Sequence, residues 1–316
     1  MQRDWIGAQI TAETPKAIGF EWIQLDWNSA DDRDWLRNDS GIDAITANAL
    51  LDEYTRARVF TTDAHEWVAT LRAVVPADGE GELVSIRMVA SNTRVITITR
   101  VEVPLLERLR QRLLKRGPRN TSSSMFVVLL CDTLEDKFTD YLVELEERAD
   151  TLEETIERGN HRLRNELQEL RLAVSRLRRH LLPQRDAAQQ LGRLATEAPL
   201  DSRRSPGRRH ASRWREIQNA FARNVEALHE LEDRLLILQD TLRNQSEYQL
   251  NRTMYLLTLA ATFFLPLTFI ASLLGMNVPG IPAENHRLGF WLVCGFIAIV
   301  ALAQWLLVRR WRLLNR

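Results

Sequence analysis

Two runs of 21 residues, Met254–Leu274 and Leu288–Val308, carry no charged side chain, and they constrain this 316-residue chain more than anything else in it. At a rise of about 1.5 Å per residue each makes a helix of roughly 30 Å, the thickness of the hydrocarbon core of a bilayer. Core helices of soluble domains rarely run that far without one charge, so both runs predict membrane spans. The connection Gly275–Arg287 is too short for a domain, so the spans form a hairpin with both flanks on one side. Arg243 and Arg252 precede the first span, and Arg309, Arg310, Arg312 and Arg316 follow the second. Positive charge stays in the cytoplasm, which places both termini inside and the short loop, with Glu284, His286 and Arg287, outside. Trp291, Trp305 and Trp311 sit near the ends of the second span, as interfacial aromatics do.

The formal net charge is zero, so no global field recommends nucleic acid as a partner. The only cysteines are Cys131 and Cys294, far apart and the second inside an apolar run, which argues against a disulfide framework. Met1–Trp5 leads into no apolar segment, so no secretory signal is expected.

Ahead of the spans the chain reads in two parts. Ala17–Trp27, Trp67–Val75, Leu83–Val89 and Thr93–Arg100 have the Val, Ile, Thr and Trp content of strands. Turns are expected at Ala77–Gly81 and Ser91–Thr93, and helices over Ile42–Tyr54 and Leu105–Lys115. A small cytoplasmic α/β domain over about 1–120 follows. It contains no phosphate loop or nucleophile elbow, and the hydroxyl run Thr121–Ser124 reads as a linker and helix N-cap. No catalytic constellation is visible, so an enzyme is not expected.

Residues 121–252 are almost wholly helical in pattern. Apolar seams run Phe138, Leu142, Leu145, Ala149, Leu152, Ile156, then Leu163, Leu167, Leu170, Val174, Leu177, Leu181, then Leu228, Leu231, Leu235, Leu238, Leu242. Breaks are expected near Gly159-Asn160, at Pro183 and over Asp201–His210. Such seams mean helices packed lengthwise, within the chain or between copies. The third helix meets no breaker between about Ser212 and the first span, so stalk and span form one rod of roughly 90 Å. Lengthwise association of copies is expected. The fold class is thus an α/β N-terminal domain, a long helical stalk region and a transmembrane domain over 253–316, mostly α overall.

A second stripe runs along that rod on another face: Asp240, Asn244, Glu247, Asn251, Met254, Thr258, Ala261, Leu265, Thr268, Ser272, Gly275. It is polar or acidic in the stalk, then small, hydroxylated or softly apolar in the span. An axial pore and ordinary helix packing both account for it, and the pore requires a cyclic oligomer because two spans cannot enclose one. Pro266 withholds a backbone donor and bends the span. Glu146, Asp150, Glu153 and Glu157 make a further helical stripe, read as a solvated or inter-helix face rather than a metal site.

Gly275-Met276-Asn277 closes the first span, followed by Val278-Pro279-Gly280-Ile281-Pro282. This tripeptide at the outer end of the first of two C-terminal spans, after a helical stalk, resembles the CorA family of divalent-cation transporters, as does Phe264–Ala271. The Val278–Pro282 segment and Leu182-Pro183-Gln184-Arg185-Asp186 look more like ZntB-type zinc transporters, and the first loop acid is as late as Glu284. The resemblance implies a homopentamer in the cell inner membrane with the first span around the axis and five copies of Asn277 at the outer mouth. An amide oxygen there bonds the water shell of a divalent cation without trapping it. Gly275 would permit close backbone approach and Met276 would pack beneath the loop. Thr268 would offer a hydroxyl ring, Leu265 and Met254 apolar constrictions, and Asn251, Glu247 and Asp240 a cation-gathering vestibule.

The six histidines show no paired spacing and no CxxC exists, so no resident metal cofactor is expected; zinc would cross partly hydrated, met only by His286 and Glu284. ZntB-type members move zinc with protons, but neither span holds a charged residue to carry one. The alternatives are a CorA-like magnesium, cobalt or nickel channel and a membrane-anchored coiled-coil scaffold without transport.

Overall fold

The computed structural model describes residues 20–53, 56–77, 80–117, 121–157, 163–197, 200, 207–276 and 289–314. Two compact units emerge, Met1–Gln239 and Asp240–Arg316. In the first, strands β1 (Glu21–Asp26), β2 (Arg58–Thr61), β3 (Trp67–Ala77), β4 (Glu80–Ala90) and β5 (Arg94–Thr99) form one sheet in the order β1-β5-β4-β3-β2. Only β1 and β5 run parallel; the other pairs are antiparallel.

Alternation along the strands gives the sheet two apolar faces. On one, Ile23, Leu25, Val68, Val89, Ile96 and Ile98 pack with Leu36 of α1 (Ala30–Asn38) and with Ala47, Leu50 and Leu51 of α2 (Ala44–Leu51). Both helices are capped by their own sequence: Ser29 Oγ accepts from Asp32 N at 3.2 Å and Asp43 Oδ1 from Thr46 N at 2.9 Å. On the other face, Trp22 donates its indole N–H to Thr97 Oγ1 at 3.0 Å and sets its ring edge-on to Phe126, 4.8 Å between centroids.

Helix α3 (Pro104–Arg116) leads to three long helices, α4 (Ser123–Glu157), α5 (Arg164–Glu197) and α6 (Gly207–Leu274). Ser122 caps α4, its Oγ accepting from Met125 N at 3.2 Å, as the hydroxyl run predicts. The α4 and α6 seam residues are buried throughout, as are those of α5 from Leu167 to Leu181. Each such leucine contributes about 1.5–3 kcal/mol relative to exposure. Polar contacts fix the bundle's register: Arg213 of α6 donates to Asp132 of α4 at 2.7 Å, Arg234 pairs with Asp150 and Glu153, and Arg178 of α5 pairs with Glu232 at 3.0 Å. Asp150 and Glu153 of the acidic stripe on α4 therefore face α6. Glu135, Thr139 and Asn224 form a hydrogen-bonded node between α4 and α6, and burial raises the Glu135 carboxyl above its ordinary range.

Several sequence expectations are corrected. Pro183 does not interrupt its helix, because α5 runs through it. The stretch Asp201–His210 is not wholly a turn: α6 has already begun at Gly207. Helix α1 and strand β2 went unpredicted, although Ser29 before Asp31 and Asp32 is a legible start signal. Asp78-Gly79, Gly159-Asn160, Asp201–Pro206 and the first 19 residues lie outside the described residues.

Gln184, 1 % exposed, explains what the segment after Leu182 does. Strand β2 pairs with β3 only from Trp67 to Thr70, so the next stretch of β3 loses its neighbour on that side. Gln184 Oε1 accepts from Arg72 N at 2.8 Å and seals that edge, fixing α5 against the sheet. Nearby His180 is half-buried, and burial with the Arg72 and Arg179 charges brings its imidazole down to about 4, so it is neutral at cytoplasmic pH. Replacing Gln184 with Leu should orphan the Arg72 N–H and destabilise the first unit by about 1–3 kcal/mol. Denaturant unfolding of the full-length protein in detergent would read that loss, and unchanged stability would contradict the edge-sealing role.

Candidate functional site

The candidate site is the face of α6 from Asp240 onward. Its residues follow a three-four alternation over the 35 residues from Asp240 to Gly275, five heptads. A straight α-helix drifts about 20° per heptad against that repeat, so the stripe stays on one face only if the helix winds around an axis. All its members, from Asp240 to Gly275, are exposed in the single chain, with Met254 at 62 % and Leu265 at 72 %. The other faces of the span are exposed too, and nothing among the described residues covers them.

Individual side chains are arranged as follows. Glu247 is paired with Arg243 one turn earlier, Oε1 to Nε 3.0 Å, so its charge is partly compensated within the helix. Thr268 donates its hydroxyl hydrogen to the Phe264 carbonyl at 2.8 Å. That bond uses the only donor of the group and leaves its oxygen lone pairs free to accept, the polarity that suits water hydrating a cation. Pro266 sits inside the helix beside a shallow apolar groove lined by Leu265, Thr268, Phe269 and Ser272. The helix closes at Leu274, where Gly275 N donates to Ala271 O at 2.9 Å. A Cβ on Gly275 would stand 3.1 Å from that carbonyl oxygen, a tight contact that glycine avoids. Met276, half exposed at 52 %, follows; Asn277, Val278–Pro282, Glu284 and His286 lie outside the described residues.

Helix α6 and the final helix α7 (Gly289–Leu314) each contain a stretch long and apolar enough to cross a membrane, and neither stretch is buried inside the fold. Toward the C-terminal end of the second, the Arg309 guanidinium lies 5.3 Å over the Trp305 ring. Among the described residues no group of three or more His, Cys, Asp or Glu side chains is placed to hold a metal ion. Sequence reasoning passed over Gln304 in α7, whose amide oxygen is enclosed without a hydrogen-bond partner; a lone amide in an apolar run is the signal that could have found it.

The order of elements is a sheet domain, three long helices, the last of which carries the first apolar stretch, and one terminal apolar helix. Residues 18–310 match the family described as CorA-like Mg2+ transporter protein. The chain belongs to the CorA family. Members of this family are divalent-cation transporters of the membrane, which accounts for both apolar helices and assigns transport rather than catalysis. Among its relatives is the divalent cation transporter CmaX of Pseudomonas aeruginosa, 32 % identical, with 92 % of this chain and 86 % of that protein covered. The zinc transport protein ZntB of Klebsiella pneumoniae is 29 % identical over 92 % of this chain and 87 % of its own length. The solved structure of full-length CmaX superposes with a TM-score of 0.77 at 32 % identity, covering 93 % of this chain and 88 % of that one. The CorA architecture expected from the Gly-Met-Asn context is therefore the one found.

Proposed function

We propose that this CorA-family protein conducts divalent cations, zinc foremost, through an axial pore lined by α6 in a homopentamer of the inner membrane. The composition of the stripe on α6 carries this reading: every face of the span is exposed in one chain, but this one is free of charge and of bulky aromatics and carries hydroxyls, which suits copies of itself or water against it. Two spans per chain cannot enclose a pore, so the copies must close into a ring. In this arrangement residues 1–120 form a cytoplasmic α/β domain, 121–252 a helical region and 253–316 the membrane domain, with both termini inside.

Each stripe residue then has a role. Gly275, Met276 and Asn277 form the outer mouth, where amide oxygens order the water around an arriving ion; Glu284 and His286 stand on the loop above. Thr268 and Thr258 offer outward oxygens, with Ser272 above them. Leu265 and Met254 narrow the path with apolar side chains that water leaves easily. Asn251, Glu247 and Asp240 gather cations at the inner end. Arg243, paired with Glu247, moderates the negative field there and helps an ion to leave. Zinc rather than magnesium is supported by the ZntB relatives and by the absence of an acid close behind Asn277.

The test is flux into liposomes holding an ion-sensitive dye, with zinc and magnesium compared at imposed pH gradients. Wild type should pass zinc, and Asn277→Ala should abolish most of that flux while leaving the oligomer intact. Magnesium flux without pH dependence would move the protein to the magnesium-type reading, and no flux of any divalent ion from an intact oligomer would leave a scaffold. A second outcome tests the hydroxyl ring: Thr268→Val should slow zinc flux about tenfold or more, in keeping with the loss of charge-assisted contacts, while Thr268→Ser should retain it. Equal rates for the Val and Ser variants would remove Thr268 from the pathway.

A further inference from the structure

The second span carries one amide in an otherwise apolar helix. Between Gly289 and Val308 no side chain other than Gln304 bears an amide, a hydroxyl or a charge. Its Oε1 is enclosed and has no hydrogen-bond partner. Inside hydrocarbon no water can complete that group, so an unpaired amide is strongly disfavoured.

The first span carries the complementary defect. Pro266 lies inside α6 and has no N–H, so the carbonyl of Thr262, four residues earlier, lacks its helical donor. Prolines are tolerated in membrane helices where another group supplies what they withhold. Thr262 also carries a hydroxyl, and it lies beside the pore stripe rather than on it. The depths correspond. Thr262 is 12 residues before the end of α6 at Leu274, and Gln304 is 15 residues after the start of α7 at Gly289. At about 1.5 Å per residue these positions lie roughly 18 and 22 Å from the outer helix ends. Side chains lean toward the N-terminus of their own helix, so Gln304 reaches back toward the shallower level of Thr262. Thr258, deeper by one turn, is on the wrong side of that lean, and the Thr268 hydroxyl is already given to Phe264.

We propose that Gln304 docks on the proline break of α6, its amide nitrogen donating to the Thr262 carbonyl and its amide oxygen accepting from the Thr262 hydroxyl. Gln304 is then a positioning residue. It completes the backbone at the bend and fixes the direction of the upper half of the stripe, Leu265, Thr268 and Ser272. The α6 it meets belongs to the same chain or to a neighbouring copy; the chemistry is the same in both cases. The proposal does not depend on which ion is carried or on α6 lining a pore.

The experiment uses the full-length protein in liposomes with Cys131→Ala and Cys294→Ala as background. Thr262→Cys combined with Gln304→Cys is treated with oxidant and with a short bifunctional thiol reagent, alongside a control pair, Phe263→Cys with Gln304→Cys, one helix face away. The proposal predicts efficient cross-linking of the first pair and little of the second. An intrachain link changes gel mobility and an interchain link gives a dimer band, so the gel also tells which α6 is met. Linking of the control as strong as, or stronger than, that of the test pair would overturn the contact. Because the cysteines could disturb packing, a second measurement reads the wild-type side chains. Gln304→Leu should shift the unfolding equilibrium in a detergent titration by about threefold, the usual scale for one interhelical hydrogen bond in a membrane. In a Pro266→Ala background, where a backbone N–H again serves the carbonyl, the same change should have little effect. Equal shifts in both backgrounds would mean that Gln304 acts elsewhere.

Discussion

Beyond Leu242 helix α6 is exposed on nearly every face among the described residues, and that exposure is the constraint on the rest of the molecule. The seams before Asp240 solve their burial problem internally: leucines of α4, α5 and α6 are buried, with Arg213, Arg234 and Arg178 setting the register at the edges. Beyond Asp240 the same helix continues to Leu274 with a stripe that nothing covers. A helix in this state is stable only against copies of itself, lipid or water. The residues on the stripe are too polar for lipid at the stalk end and too small and hydroxylated for a lipid-facing surface in the span. The proposed ring of helices around a water-filled axis is an arrangement that would satisfy all of them.

Much of this was legible from residue order alone. Twenty-one residues without a charge admit few structures, so both apolar helices followed from counting. The three-four seams located the long helices because packing against neighbours imposes that period, whatever the fold. Pro183 shows where such reading fails. A proline in the middle of a helical pattern predicts a break, yet α5 continues because its neighbours hold it in place: Leu177, Leu181 and Gln184 are all buried around it. Local propensity lost to tertiary packing. Helix α1 was missed for the opposite reason, since it is short and largely polar, and only its Ser29 cap announces it.

The candidate site was partly legible. Its spacing, Asp240 through Gly275, is a property of sequence; exposure does not mark it out, because the other faces of the span are exposed as well. The details of polarity were not. That Thr268 turns its hydrogen to Phe264 and leaves its lone pairs free to accept, and that Glu247 carries Arg243 with it, depends on rotamers that no pattern specifies. Gln304 was passed over because attention fell on charged residues in the spans, whereas in hydrocarbon an amide without a partner is already a constraint.

The measurement that tests this account most directly is water access along α6. Single cysteines placed in turn from Asn251 to Gly275, in a protein lacking Cys131 and Cys294, would be reacted with a charged thiol reagent in liposomes under a cation gradient. The account predicts fast modification at Thr258, Ala261, Leu265, Thr268 and Ser272, with slow reaction on the remaining faces of the span. Uniform reactivity around the helix, or a fast face that does not include these positions, would contradict it.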